Sequence, residues 1–181
     1  MKKNTTKIPG VCALLDRFIL MVGTAASWLN AVLIAVIILQ VVMRYAFGHG
    51  LVFLEEIQWH LYAVAFMIGM SYVLTTDSNV RLDIAYCGFS ERKKEWIEFL
   101  GIIFLLMPFI IIFFLHSIDF VENSWRVNEH SDAPMGLPWR WVIKSVIPVS
   151  FSLLFISAVS RLIKAANFLF GGKKEVNHGN Q

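Results

Sequence analysis

The chain has 181 residues, 57% of them hydrophobic and 16% charged, with a mean hydropathy of +0.63. An ordinary soluble domain carries roughly 25% charged residues, so this balance excludes a soluble core and points to a multi-span α-helical membrane protein. The formal net charge of +3 does not imply nucleic acid, because the cations lie in short flanks beside apolar runs rather than on a surface of their own.

Residues 1–17 form an N-terminal segment carrying Lys2, Lys3, Lys7 and Arg17. Within it Val11, Leu14, Leu15 and Phe18 recur at helical spacing beside Asp16, which fits either a short amphipathic helix on the membrane surface or an extension of the first span. The first span is expected over about 18–43: the 26 residues from Phe18 to Met43 hold no ionisable side chain, and a helix needs about 20 residues to cross the hydrocarbon. A secretory leader has an apolar region of only about 7–15 residues, so this run is read as a retained helix. Along it Gly23, Ser27, Ala31 and Ala35 recur every four residues, a stripe of small side chains on which another backbone can approach closely.

Three further runs without Asp, Glu, Lys or Arg follow, from Ile57 to Thr76, Phe99 to Leu115 and Ser145 to Ser160. They place spans over about 57–76, 97–118 and 142–163. Pro108 removes a backbone hydrogen bond inside the third and is expected to kink it. Between Asp119 and Trp141, the residues Trp125, Trp139 and Trp141 lie among charges while Pro134, Gly136 and Pro138 interrupt any helix, so this segment is expected at headgroup level. Residues 166–181 make a cytoplasmic tail, polar and expected to be disordered from Gly171. The fold class is therefore an all-α integral membrane protein: one four-helix domain over 18–165 with short interfacial amphipathic helices.

Twelve of the sixteen Lys and Arg fall in the N-terminal segment, the middle loop and the tail, and four in the other two connections. By the positive-inside rule both termini and the loop from Asp77 to Glu95 are cytoplasmic. Cys12 and Cys87, the two cysteines, then face the reducing side, where a structural disulfide is not expected and no metal-site spacing is present.

Ionisable groups inside a membrane are expensive and mark function, and here the interior is almost free of them. Gln40 is the strongly polar residue of the first span, while His60 and His116 sit at the outer ends of the second and third. Ligation of a haem by the two histidines, and a polar pathway formed by a homo-oligomer around Gln40, Ser150, Ser152 and Ser157, are the two alternatives to a protein that works by association. The bland reading of the histidines is that both are wet interfacial side chains. No glycine-framed nucleophile and no metal-binding helix motif is present, and no enzyme activity or cofactor is expected.

Particular residues carry a family resemblance. Arg44 with Glu55, Glu56 and Trp59, then Gly69 and the run Asn79, Val80, Arg81, Leu82, Asp83, Ile84, is similar to the small (DctQ-like) membrane subunit of tripartite ATP-independent periplasmic (TRAP) transporters. Residues 131–148, SDAPMGLPWRWVIKSVIP, resemble that family's small polar stretch, Gly-hydrophobic-Pro-Trp turn and proline early in the last helix. The resemblance extends from about Arg17 to Arg161 and leaves both tails uncovered.

The resemblance implies a small subunit of the bacterial inner membrane that does not itself transport. It would brace a large multi-span carrier among the membrane lipids and help dock a periplasmic binding protein. The cargo implied is an organic acid, of the sialic acid or C4-dicarboxylate class, moved with sodium. Arg44, Glu55, Glu56, Trp59, Arg81 and Asp83, together with the stripe Gly23, Ser27, Ala31 and Ala35, are the implied subunit-interface residues. Trp125, Trp139 and Trp141 are read as interfacial anchors, and the outer charges Glu122, Arg126, Glu129 and Asp132 as the meeting point for the soluble partner.

Overall fold

A computed structural model describes residues 10–48, 50–78, 89–133 and 136–170. The described residues are helical apart from short connections: α1 spans Gly10–Phe47, α2 Val52–Thr75, α3 Glu91–Gly101, α4 Met107–Arg126 and α5 Arg140–Phe170. Four units are long and apolar enough to cross a membrane, the third being α3 and α4 joined as Glu91–Arg126. Arg81, Asp83, Cys87 and the tail from Gly171 lie outside the described residues.

Three features of the backbone follow from local sequence. Gly10 to Phe18 continues α1 without a break, so this stretch is the extension of the first span rather than a separate surface helix. At about 1.5 Å per residue its 38 residues reach about 57 Å, well beyond a hydrocarbon core of about 30 Å. In the third span Pro108 has no N–H to give, and the chain passes through a π-helical turn over Ile102–Leu106, closed by Met107 N–H on the Ile102 carbonyl, before α4 resumes. Asp77 and Asn128 take positive φ just past α2 and α4. Each makes a paired closure: Ser78 N–H bonds Val73 O with Asp77 N–H on Leu74 O, and Glu129 N–H bonds Ser124 O with Asn128 N–H on Trp125 O.

α5 is the most buried span and the hub of the bundle. It packs on α2 and α4, and α1 packs mainly on α2 while reaching α5. The apolar core joins Phe151, Leu154 and Ala158 of α5 to Ile102 and Ile110 of the third span, with Met67, Met70 and Leu74 of α2 against them. Between α2 and α5 lies a polar seam: the Ser157 hydroxyl donates to the Ser71 carbonyl at 3.2 Å, and Thr75 Oγ1 lies 3.0 Å from Ser157 Oγ and 2.9 Å from the Ser71 carbonyl. Ser71 and Ser157 are each 1% exposed, small enough for the helices to approach and polar enough to cross-link them.

Interhelical hydrogen bonds in membranes contribute about 0.6 kcal/mol on average and up to about 1.7. Ser157→Ala is expected to cost about that much, lowering the detergent unfolding midpoint slightly, whereas Ser157→Leu is expected to force α2 from α5 and abolish the folded form. A Leu variant as stable as the parent in thermal unfolding contradicts this packing.

Candidate functional site

Charged side chains gather at the two ends of the bundle. At the end carrying the α1–α2 connection, Gln40 is buried to 7% exposure and its Nε2 donates to Glu55 Oε1 at 3.2 Å. Arg44 Nη2 reaches the same oxygen at 3.2 Å, so one carboxylate answers both Gln40 and Arg44. Gly48, at φ +68, makes the reversal between these helices.

Glu56, one residue on, faces the other way and holds the connection between α4 and α5. Its two oxygens accept from the Ser131 hydroxyl and the Leu137 backbone N–H. Gly136 sits against this latch, where an added Cβ would lie 2.5 Å from the Ser131 side chain. The connection is pinned from the α5 side as well: Lys144 pairs with Glu129 and sits 4.0 Å from the Phe120 ring centroid, and Arg140 Nη1 lies 3.6 Å from Glu129 and 3.4 Å from Asp132. Trp125 and Trp141 meet edge to face with centroids 4.4 Å apart, tying the end of α4 to the start of α5. Trp139 is an exposed residue at φ 62 that turns the chain into α5. The result is a fixed cap over one end of the bundle.

The cap leaves particular charges outside. Asp132 is 99% exposed, and Glu122 and Arg126 form an exposed pair at 2.7 Å. Glu129 is held more tightly, and the Lys144 ammonium donating to its carboxylate keeps its pKa below the usual 4.5.

The opposite end holds two charge clusters that the pattern of the sequence does not disclose. Asp16 of α1 accepts from Ser160 at 2.6 Å and pairs with Lys164 of α5. Arg161 closes its guanidinium fork on both oxygens of Glu98 and reaches Glu95 at 3.3 Å. Opposite charges near the same ends of antiparallel spans were the available signal, but the pairing of Asp16 with Lys164 crosses 148 positions.

The small-residue stripe divides. Gly23 is buried, and a Cβ there would meet Tyr72 Cδ2 at 2.6 Å, so α1 and α2 touch backbone to ring at this point. Ser27, Ala31 and Ala35 are exposed. Four residues advance about 40° beyond one full turn, so the stripe winds off the contact, while the buried positions Cys12, Ile19, Ala26 and Gln40 follow multiples of seven.

His60 Nδ1 contacts the Glu56 carbonyl and His116 Nδ1 the Ile112 carbonyl at 2.8 Å, each on its own helix. Ser150 and Ser152 likewise donate to the carbonyls of Val146 and Pro148 at 2.7 and 2.8 Å. Among the described residues no group of three His, Cys, Asp or Glu is placed to hold a metal.

The family model for tripartite ATP-independent periplasmic transporters, DctQ component, matches residues 33–168. The matched interval contains α2, the third span and the cap, and begins within α1 and ends within α5. No curated protein and no solved structure matches the chain.

Glu129 generates a pH dependence with a defined sign. A carboxylate with a depressed folded pKa adds stability above its unfolded value, and that stability is lost as pH falls through the folded one. The unfolding-midpoint difference between the parent and Glu129→Gln is expected to be present at pH 7 and to shrink to nothing below the ordinary glutamate range. A difference that persists unchanged into acid contradicts the pairing.

Proposed function

Since the chain belongs to the DctQ family of tripartite ATP-independent periplasmic transporters, we propose that it braces the large carrier subunit in the bilayer. In the same reading it presents a fixed surface to the periplasmic binding protein. The observation that carries this is the distribution of polar groups. The serines in the middle of the bundle donate to carbonyls of their own or the neighbouring helix, Ser157 also meets the Thr75 hydroxyl, and the charges are at the ends. A bundle built this way offers faces and a cap. Substrate choice among organic acids, of the sialic acid or C4-dicarboxylate class, and sodium coupling then belong to the other two components.

The excess of Lys and Arg at the other end supports an outward-facing cap, in this reading the periplasmic side of a bacterial inner membrane. There Asp132, Glu122 and Arg126 are the exposed charges on which a soluble protein is steered, while Glu129 sets the shape beneath them. Arg44, Glu55 and Glu56 are engaged inside the chain, so their contribution to the complex is to hold α1 on α2 and the cap on α2 rather than to reach across. Contact with the carrier falls to exposed membrane faces. Ser27, Ala31 and Ala35 of α1 offer the closest backbone approach, and Trp28 beside them is 72% exposed.

Reversing charge at Asp132 and Glu122 together, both to Lys, is expected to lower uptake about tenfold at limiting binding protein, by slowing encounter. The loss is expected to lessen as binding protein is raised, and substrate preference is expected to stay as it is. A shifted preference in transport assays, or uptake unaffected at every concentration, overturns this assignment.

A further inference from the structure

Two apolar recesses lie on either side of His60 and Ile143 beneath the cap. One, of about 530 Å3, opens beside α2 and has Tyr62, Phe66 and Met67 as its wall, with Glu56 and Arg140 at its mouth. The other, of about 330 Å3, lies against Val64, Val142 and Val146 under Pro138 and Trp139. His60 and Ile143 line both. The larger falls in the ordinary range of ligand cavities, roughly 300–1,000 Å3.

We propose that this pair of recesses binds one diacyl phospholipid with a zwitterionic, amine-bearing headgroup, one acyl chain in each. Two neighbouring apolar recesses, with Glu56 and Arg140 lining the larger, match two acyl chains under one headgroup. From His60 to Met67 the wall descends seven residues, roughly 10 Å along the helix, from headgroup level into hydrocarbon.

The polar groups select the headgroup. Arg140 meets Glu129 and Asp132 through Nη1, and a guanidinium carries five N–H donors, so it retains donors for a phosphate. The Glu56 carboxylate uses one acceptor site on each oxygen for Ser131 and Leu137, and has further lone pairs for an ammonium. His60 gives its Nδ1–H to the Glu56 carbonyl and lines both recesses. Glu56, Glu129 and Asp132 against Arg140 and Lys144 leave the locality net negative by one charge, which works against a headgroup carrying net negative charge. An amino-alkyl phosphate, itself without net charge, fits this arrangement of two cations among three acids. Trp59, 73% exposed at the mouth, flanks it at the depth where aromatic residues favour the interface.

The site goes beyond the assembly role, and its test does not depend on that role. The full chain, purified and stripped of lipid in detergent, is titrated with short-chain phosphatidylethanolamine or phosphatidylglycerol and read by native mass spectrometry. A single phosphatidylethanolamine adduct is expected, at least tenfold tighter than phosphatidylglycerol. Ala63→Phe fills the larger recess and Val146→Phe the smaller, and each is expected to weaken the adduct at least tenfold with helicity and unfolding midpoint retained. If one variant fails to fold, the other decides. Equal binding of the two headgroups, no adduct, or an adduct undiminished in a folded variant overturns the proposal.

Discussion

The contact on which the rest of the bundle depends is the seam between α2 and α5. Lipid is as apolar as leucine, so burying hydrocarbon does little to draw helices together in a bilayer, and small polar side chains at close approach do that work instead. Ser71, Thr75 and Ser157 supply two such contacts within one patch, with Thr75 also bonded to the Ser71 carbonyl of its own helix. Directly beside it, Ala158 at 0% exposure and Leu154 turn the same face of α5 onto the core shared with the third span. α5 can serve two neighbours because its polar and apolar contacts lie side by side on adjoining faces.

With that seam set, the charges at the ends act as closures. Asp16 with Lys164 fixes α1 to α5 at one end, and Arg161 with Glu95 and Glu98 fixes α3 to α5. At the other end Gln40, Arg44 and Glu55 join α1 to α2, and Glu56 joins α2 to the cap. Unpaired charge is costly near hydrocarbon, so every one of these contacts also specifies which helix ends meet. The two adjacent glutamates at the head of α2 point to different partners, Glu55 to α1 and Glu56 to the cap.

Much of this fold was legible in the sequence, for a physical reason: an uninterrupted apolar run has no alternative to a spanning helix. The existence of four spans therefore followed from composition alone, while their limits did not. α1 runs Gly10–Phe47 against an expected 18–43, because the helix continues into the interface where Asp16 and Arg44 find partners. The stripe from Gly23 to Ala35 read as one face because its spacing is regular, but only Gly23 meets Tyr72, since a period of four drifts around a helix of 3.6 residues per turn. Glu56 was legible as a residue of interest, but not its role, because Ser131 and Leu137 lie 75 and 81 positions away. Pro108 was visible as a disturbance, and the π turn that absorbs it was not.

Family membership and geometry lead to the same kind of protein, a bundle whose ends are locked and whose membrane faces remain apolar and open. In the proposed role those faces are completed by a much larger membrane subunit. The most direct test of that role is to extract the chain from its native membrane in mild detergent and identify what stays with it by mass spectrometry. A multi-span partner of carrier size, in fixed proportion to this chain, is expected. Recovery of the chain alone, or only with further copies of itself, contradicts it.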